Sequence, residues 1–286
     1  MLTAALALSS AFAYTLHDYL MMRVVRAAPV LTALFWVQLV GAAVLLPLWL
    51  TMEGAPSGAG QWRAAGLAAL TGPLEILALA FLLKGLALGK LSIVGPLAAL
   101  GGGFGAAFAV ALGEPVAGLA AIGLPLAVVG AVFSSVERGD EDERAVRATA
   151  GAGWALLCAL TWGVEPVIIG EATDLLPSLS VLTIGRLTSL LVLAPFTALL
   201  GGFALQHVFR RRVAACGLID VAGFAAWIAA TAVGPVATAS VLVAQAGTMS
   251  ALFGTVALHE RPTRVQLVGI AATVVAVTLL AASGGG

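Results

Sequence analysis

Apolar runs long enough to cross a lipid bilayer recur ten times along this 286-residue chain, and no other property of the sequence restricts its fold as strongly. A spanning helix needs about 20 mainly apolar residues, because lipid offers no water to satisfy backbone N–H and C=O groups. Bounded by charged residues or by Pro and Gly, the runs fall at 2–22, 29–51, 63–84, 91–112, 115–135, 150–170, 177–200, 213–232, 235–257 and 263–282. Composition agrees: 61% of the residues are hydrophobic, 10% are charged, and the mean hydropathy is +1.08. Soluble domains carry roughly 45–50% and 25%. Fourteen basic and fourteen acidic side chains, many crowded into loops, cannot clothe a soluble surface of this size. The zero net charge gives no hint of a nucleic-acid partner, and no basic patch with interleaved aromatics appears, so none is expected. Ala11-Phe12-Ala13 resembles a signal-peptide cleavage site, but Met1–Leu8 lacks the basic n-region, so the first run reads as a membrane helix. Cys158 and Cys216 lie in apolar runs without CxxC spacing, reading as small apolar packing groups, and no metal or cofactor is expected.

The one aqueous stretch, Val136–Thr149, carries Glu137, Arg138, Asp140, Glu141, Asp142, Glu143, Arg144 and Arg147, and reads as a charged linker at 136–149 between two units, 1–135 and 150–286. Internal identities support this division. At an offset of 148, Pro29, Leu34 and Pro47 meet Pro177, Leu182 and Pro195; at 145, Gly72 and Gly89 meet Gly217 and Gly234; at 146, Gly101, Glu114 and Gly123 meet Gly247, Glu260 and Gly269. Helices one to five are therefore repeated as six to ten. Five is odd, so the second unit enters the membrane from the opposite side. The expected fold is an all-α integral membrane protein, ten transmembrane helices in two inverted five-helix repeats around a central cavity, an architecture used by secondary transporters. Loops after the odd-numbered helices hold Arg23, Arg26, Lys90, Arg138, Arg144, Arg147, Arg210, Arg211, Arg212, Arg261 and Arg264, whereas the even ones hold only Arg63. The positive-inside rule places the odd loops in the cytoplasm and both termini outside a bacterial-type inner membrane.

Polar groups inside apolar runs are costly and turn toward a cavity or toward one another. They are His17, Asp18, Gln38, Glu75, Glu165, Arg186, Asp220 and Gln245. Three sets coincide with the repeat: Glu75 with Asp220, Gln38 with Arg186, and His17 with Glu165. Glu75 and Asp220 sit near mid-bilayer by their distance from Arg63 and Arg212. Gly223, Trp227 and Thr231 share a face with Asp220, so a carboxylate beside an indole over a glycine gap suits an organic amine or cation. Arg186 is suited to hold a substrate carboxylate or to neutralise Glu75, Glu165 or Asp220. Gln38 and Gln245 serve the cavity or bridge helices, and His17 and Asp18 line a gate or meet solvent. Pro166 after Glu165 predicts a kink beside that acid. Gly101-Gly102-Gly103-Phe104-Gly105 and Gly247 fit close helix approach or local unwinding.

Ten helices, a fivefold repeat, Trp162-Gly163 in the first helix of a half, and Leu112-Gly113-Glu114 with Leu258-His259-Glu260 closing the fourth helix of each half together resemble the drug/metabolite transporter superfamily, in its EamA-type ten-helix members. The resemblance covers nearly the whole chain. Tyr14-Thr15 stands where the first half would carry Trp-Gly, and Gly101 and Gly247 replace the proline common in the fourth helix. Outward termini also depart from many relatives. The resemblance implies secondary transport by alternating access, usually export, of amino acids, related metabolites or drugs. More deep acids than bases point to a zwitterionic or cationic substrate, or to protons as coupling partner. The candidate substrate-binding or proton-coupling site, read from the residues themselves, comprises Glu75, Asp220, Arg186, Gln38, Glu165, His17, Gln245, Trp227, Trp162 and Tyr14. The partners expected are a small-molecule substrate and membrane lipid, and a monomer suffices. A membrane-embedded enzyme acting on a lipid-linked substrate is the alternative class, and it lacks an HExxH or GxSxG motif.

Overall fold

The structure, a computed structural model, describes residues 1–89, 91–98, 100–113, 116, 118–134, 144–257 and 263–283. Every described element is helical: α1 (Leu2–Val25), α2 (Val30–Met52), α3 (Ala59–Leu88), α4 (Leu91–Ala98), α5 (Leu100–Ala111), α6 (Leu119–Ser134), α7 (Arg144–Thr173), α8 (Ser178–Phe196) with a π-turn at Thr197–Gly201, α9 (His207–Val233), α10 (Val236–Val243), α11 (Ala246–Ala257) and α12 (Arg264–Ser283). Five of them hold a segment long and apolar enough to cross a membrane, namely α2, α3, Gly151–Thr173 of α7, α8 with its π-turn, and α9; shorter apolar helices lie at Leu100–Ala111, Leu119–Gly130, Val236–Ser250 and Arg264–Ala276. The protein is a multi-pass helical membrane protein. Lys90, Glu114, 136–143 of the charged linker and the run Leu258-His259-Glu260-Arg261-Pro262 lie outside the described residues.

Three boundaries differ from the hydropathy reading. α9 begins at His207 and takes in Arg210, Arg211 and Arg212, good helix formers whose long stems let the charge leave the apolar zone. α7 begins at Arg144, so the linker's last six residues, 144–149, are helical. The ninth run divides at Ala244–Gln245, where the Gln245 side-chain amide donates to the Val241 carbonyl at 2.9 Å while its backbone N–H turns to Leu242 O at 3.2 Å. Pro166 lies inside α7, which is helical on both sides of it.

Packing runs mainly between the two units. α1 lies on α9 and α7 on α3; α2 meets α9 and α3 meets α8; α4 meets α11 and α5 meets α10; α2 touches α8 and α6 touches α12. Glycines bring backbones together, as lipid supplies no hydrophobic force between helices and close packing has to hold them. Gly72 of α3 abuts Gly185, Thr188 and Ser189 of α8, and Gly217 of α9 abuts Val37 and Val40 of α2. Gly89 meets Gly151, and Gly234 meets Thr3. Each contact has its counterpart at the sequence offsets of 145 and 148.

Candidate functional site

Arg186 of α8 is the largest fully buried side chain, with 0% exposure. Gly41 of α2 makes room for it, since a Cβ there would sit 3.3 Å from the arginine's Cδ and Nε. Its Nη1 donates to Gln38 Oε1 and stands 3.3 Å from Glu75 Oε1 and 2.8 Å from Asp220 Oδ2. The guanidinium also lies 5.6 Å from the Phe224 ring centroid, a cation–π distance. Ser189, one helical turn after Arg186, donates to Gly72 O at 3.1 Å and Glu75 Oε2 at 3.3 Å. Four of the residues singled out in the sequence thus converge on one buried charge cluster, drawn from α2, α3, α8 and α9.

Glu165 of α7 is also fully buried and interacts electrostatically with Glu75, Arg186 and Asp220, yet neither carboxylate oxygen has a hydrogen-bond partner. Arg186 Nε and Nη2 and Gln38 Nε2 are equally without partners. Three carboxylates therefore lie within electrostatic reach of one guanidinium, with unused donors on Arg186 and unused acceptors on Glu165.

Beside it lies a small, partly open cavity of about 50 Å³. Aromatic walls come from Tyr14 of α1, Trp162 of α7 and Trp227 of α9, and Asp18 supplies a carboxylate. Tyr14 and Trp162, which correspond at the 148 offset, place their ring centroids 6.1 Å apart. Ser240, Ala244, Gly247 and Ser250 form the α10–α11 wall, opposite Ala98, Gly101 and Gly102. Trp227 Nε1, Ser240 Oγ and Ser250 Oγ are buried without a hydrogen-bond partner. Asp18 bonds His17 at 3.1 Å, so His17 reaches the cavity through Asp18 rather than as part of its lining.

The remaining expectations divide. Gln245 borders a smaller space with Gly103 and Val128 and acts on its own helix break. The gap expected at Gly223 is filled, because a Cβ there would lie 3.1 Å from Ala13 Cβ and 3.4 Å from the Tyr14 ring. Thr231 bonds its own helix at Ile228 O, 2.9 Å, and takes no part. Gly101 and Gly102 serve close approach: a Cβ on the first would lie 3.0 Å from Ala159 O, and one on the second would meet Ser240 and Ala244. Ser189, Phe224, Ser240 and Ser250 were not singled out by the sequence; Phe224, four residues after Asp220 and hence on its face, carried a legible signal. Among the described residues no group of three or more His, Cys, Asp or Glu side chains is placed to hold a metal ion.

Long apolar helices around a small cavity with buried charge beside it define the class as a polytopic membrane protein. Residues 149–282 match the model of the EamA-like transporter family. A solved structure titled only "Crystal structure of protein" shares the fold, with a TM-score of 0.72 over 97% of this chain and 95% of that one at 18% identity. No curated protein matches the chain. Through residues 149–282 the chain is similar to the EamA-like transporter family, and this match supports its place in the drug/metabolite transporter superfamily as a membrane transporter of that type.

Proposed function

We propose that the protein exports a small zwitterionic or amine-bearing metabolite with an apolar body, by alternating access of the aromatic cavity. The cavity carries this reading. Its three aromatic rings fit the apolar body and, with Asp18, an ammonium group. The unpartnered Trp227 N–H and the Ser240 and Ser250 hydroxyls are donors awaiting an oxygen acceptor.

Two inverted five-helix repeats are the architecture that goes with this function. The reciprocal helix contacts support it, and so does the lining, which comes in corresponding pairs: Tyr14 with Trp162, Asp18 with Pro166, Ala98 with Ala244, Gly101 with Gly247. A cavity on the exchange axis meets both sides of the membrane when the halves rock. The basic-residue distribution supports outward termini in a bacterial-type inner membrane.

A thermal-shift screen of the purified protein against apolar amino acids, polyamines and amphiphilic amines should give a ligand that raises the unfolding temperature. Counterflow of that ligand in proteoliposomes should saturate. Flux proportional to concentration without saturation would instead describe a pore. For topology, a membrane-impermeant thiol reagent applied to intact cells should label Ser57→Cys and spare His207→Cys; the reverse pattern would overturn the orientation.

A further inference from the structure

The unused groups around Glu165 are complementary. Both Glu165 oxygens lack a donor, while Arg186 Nε and Nη2 lack an acceptor, and the two residues lie within electrostatic reach inside one buried cluster. Arg186 spends only Nη1, on Gln38, Glu75 and Asp220. With all three carboxylates ionised the cluster would bury two negative charges that nothing offsets, an arrangement proteins avoid by neutralising a group. Glu75 and Asp220 each have the guanidinium within ion-pair distance; Glu165 has neither a hydrogen bond nor an ion pair.

We propose that Glu165 is a proton-binding site whose occupancy decides which carboxylates hold Arg186. When Glu165 is a neutral acid, the arginine stays with Glu75 and Asp220, as in this structure. When the acid releases its proton to water, the resulting carboxylate draws the free Nε–Nη2 edge of the guanidinium toward α7, loosening the link between α8 and α3. One proton leaves and one arginine changes partners, with no other reactant needed. The groups facing Glu165 are consistent with this: Glu75 on α3, Arg186 on α8, Asp220 on α9, Tyr14 on α1 and Cys158 on its own helix, while the described residues of α4, α5 and α10 bring no titratable side chain. A bound proton so placed would couple transport to a pH gradient, a use that rests on the transporter reading; the site itself does not.

The test is infrared spectroscopy of the full-length protein in lipid vesicles, with the proton as the only probe. The C=O stretch of a protonated carboxyl should appear at neutral pH, shift in D2O, and fade reversibly in alkaline buffer that leaves the protein folded. It should be lost in Glu165→Gln, move in frequency in Glu165→Asp, and stay unchanged in Glu75→Gln and Asp220→Asn. Size-exclusion elution and circular dichroism verify that each variant is folded, and Glu165→Asp tests the site should Glu165→Gln fail. A band that survives in folded Glu165→Gln, that disappears instead in Glu75→Gln or Asp220→Asn, that ignores pH, or that sodium removes at constant pH would overturn the proposal. A titrating band with no pH-driven transport would leave the proton site standing and count against the transport reading.

Discussion

Arg186 faces Glu75 and Asp220 where water does not reach, so the three residues stand or fall together. Removing one partner of a buried pair commonly costs ~3–5 kcal/mol because it strands the opposite charge. Arg186→Ala should accordingly lower the folded yield and the unfolding temperature, measured by fluorescence-detected size exclusion after heating. Wild-type stability in that variant would reassign the arginine to the substrate. Trp227 makes the opposite kind of prediction: its indole N–H has no partner in the protein, so Trp227→Phe should leave stability nearly unchanged. Losing a hydrogen bond of about 1 kcal/mol to a bound ligand would weaken binding roughly fivefold by calorimetry. These charged and aromatic residues were legible in the sequence because a charge within an apolar run is conspicuous. The cavity serines were not. A hydroxyl in a helix can satisfy itself on a carbonyl three or four residues back, as Thr183 and Thr188 do, and only the fold tells those apart from Ser240 and Ser250, which have no partner.

Helices α3 and α8 approach through Gly72, where a Cβ would lie 2.5 Å from the Gly185 carbonyl oxygen and 2.5 Å from Ser189 N. Both are backbone atoms that cannot step aside. Gly72→Ala should therefore destabilise by ~1–3 kcal/mol, whereas Gly66→Ala on the same helix, with nothing within 4 Å, should stabilise by up to ~1 kcal/mol through helix propensity. Thermal unfolding of the two variants in one detergent gives the contrast, and equal effects would contradict the close approach. Helix existence could be read from apolar runs because the bilayer sets their length. Helix ends could not: arginines prolong α9 past the apolar zone, and the Ala244–Gln245 break depends on a side chain standing in for a backbone donor.

The extensive packing of α1 on α9, α3 on α7 and α6 on α12 places much of the interior between residues 1–134 and 144–283. Neither part should persist alone. Co-expressed as separate chains cut within residues 136–143, the two should copurify through a tag on one of them, and recovery of either part folded by itself would show that the halves are independent. The Pro, Gly and Glu identities suggest the proposed repeat, but the partner of each helix was not legible, since local sequence carries no record of which distant face a glycine will meet. On the proposed two-fold axis, corresponding positions face one another, as Tyr14 does Trp162 and Gln38 does Arg186. A dimer of identical five-helix chains could not hold this centre, because symmetry would set an arginine against its own copy in a buried place, or a glutamine against a glutamine with no cation for the acids. On the proposed repeat, joining two copies into one chain is what frees the two axial positions to differ, so that a lone charge can stand at the centre.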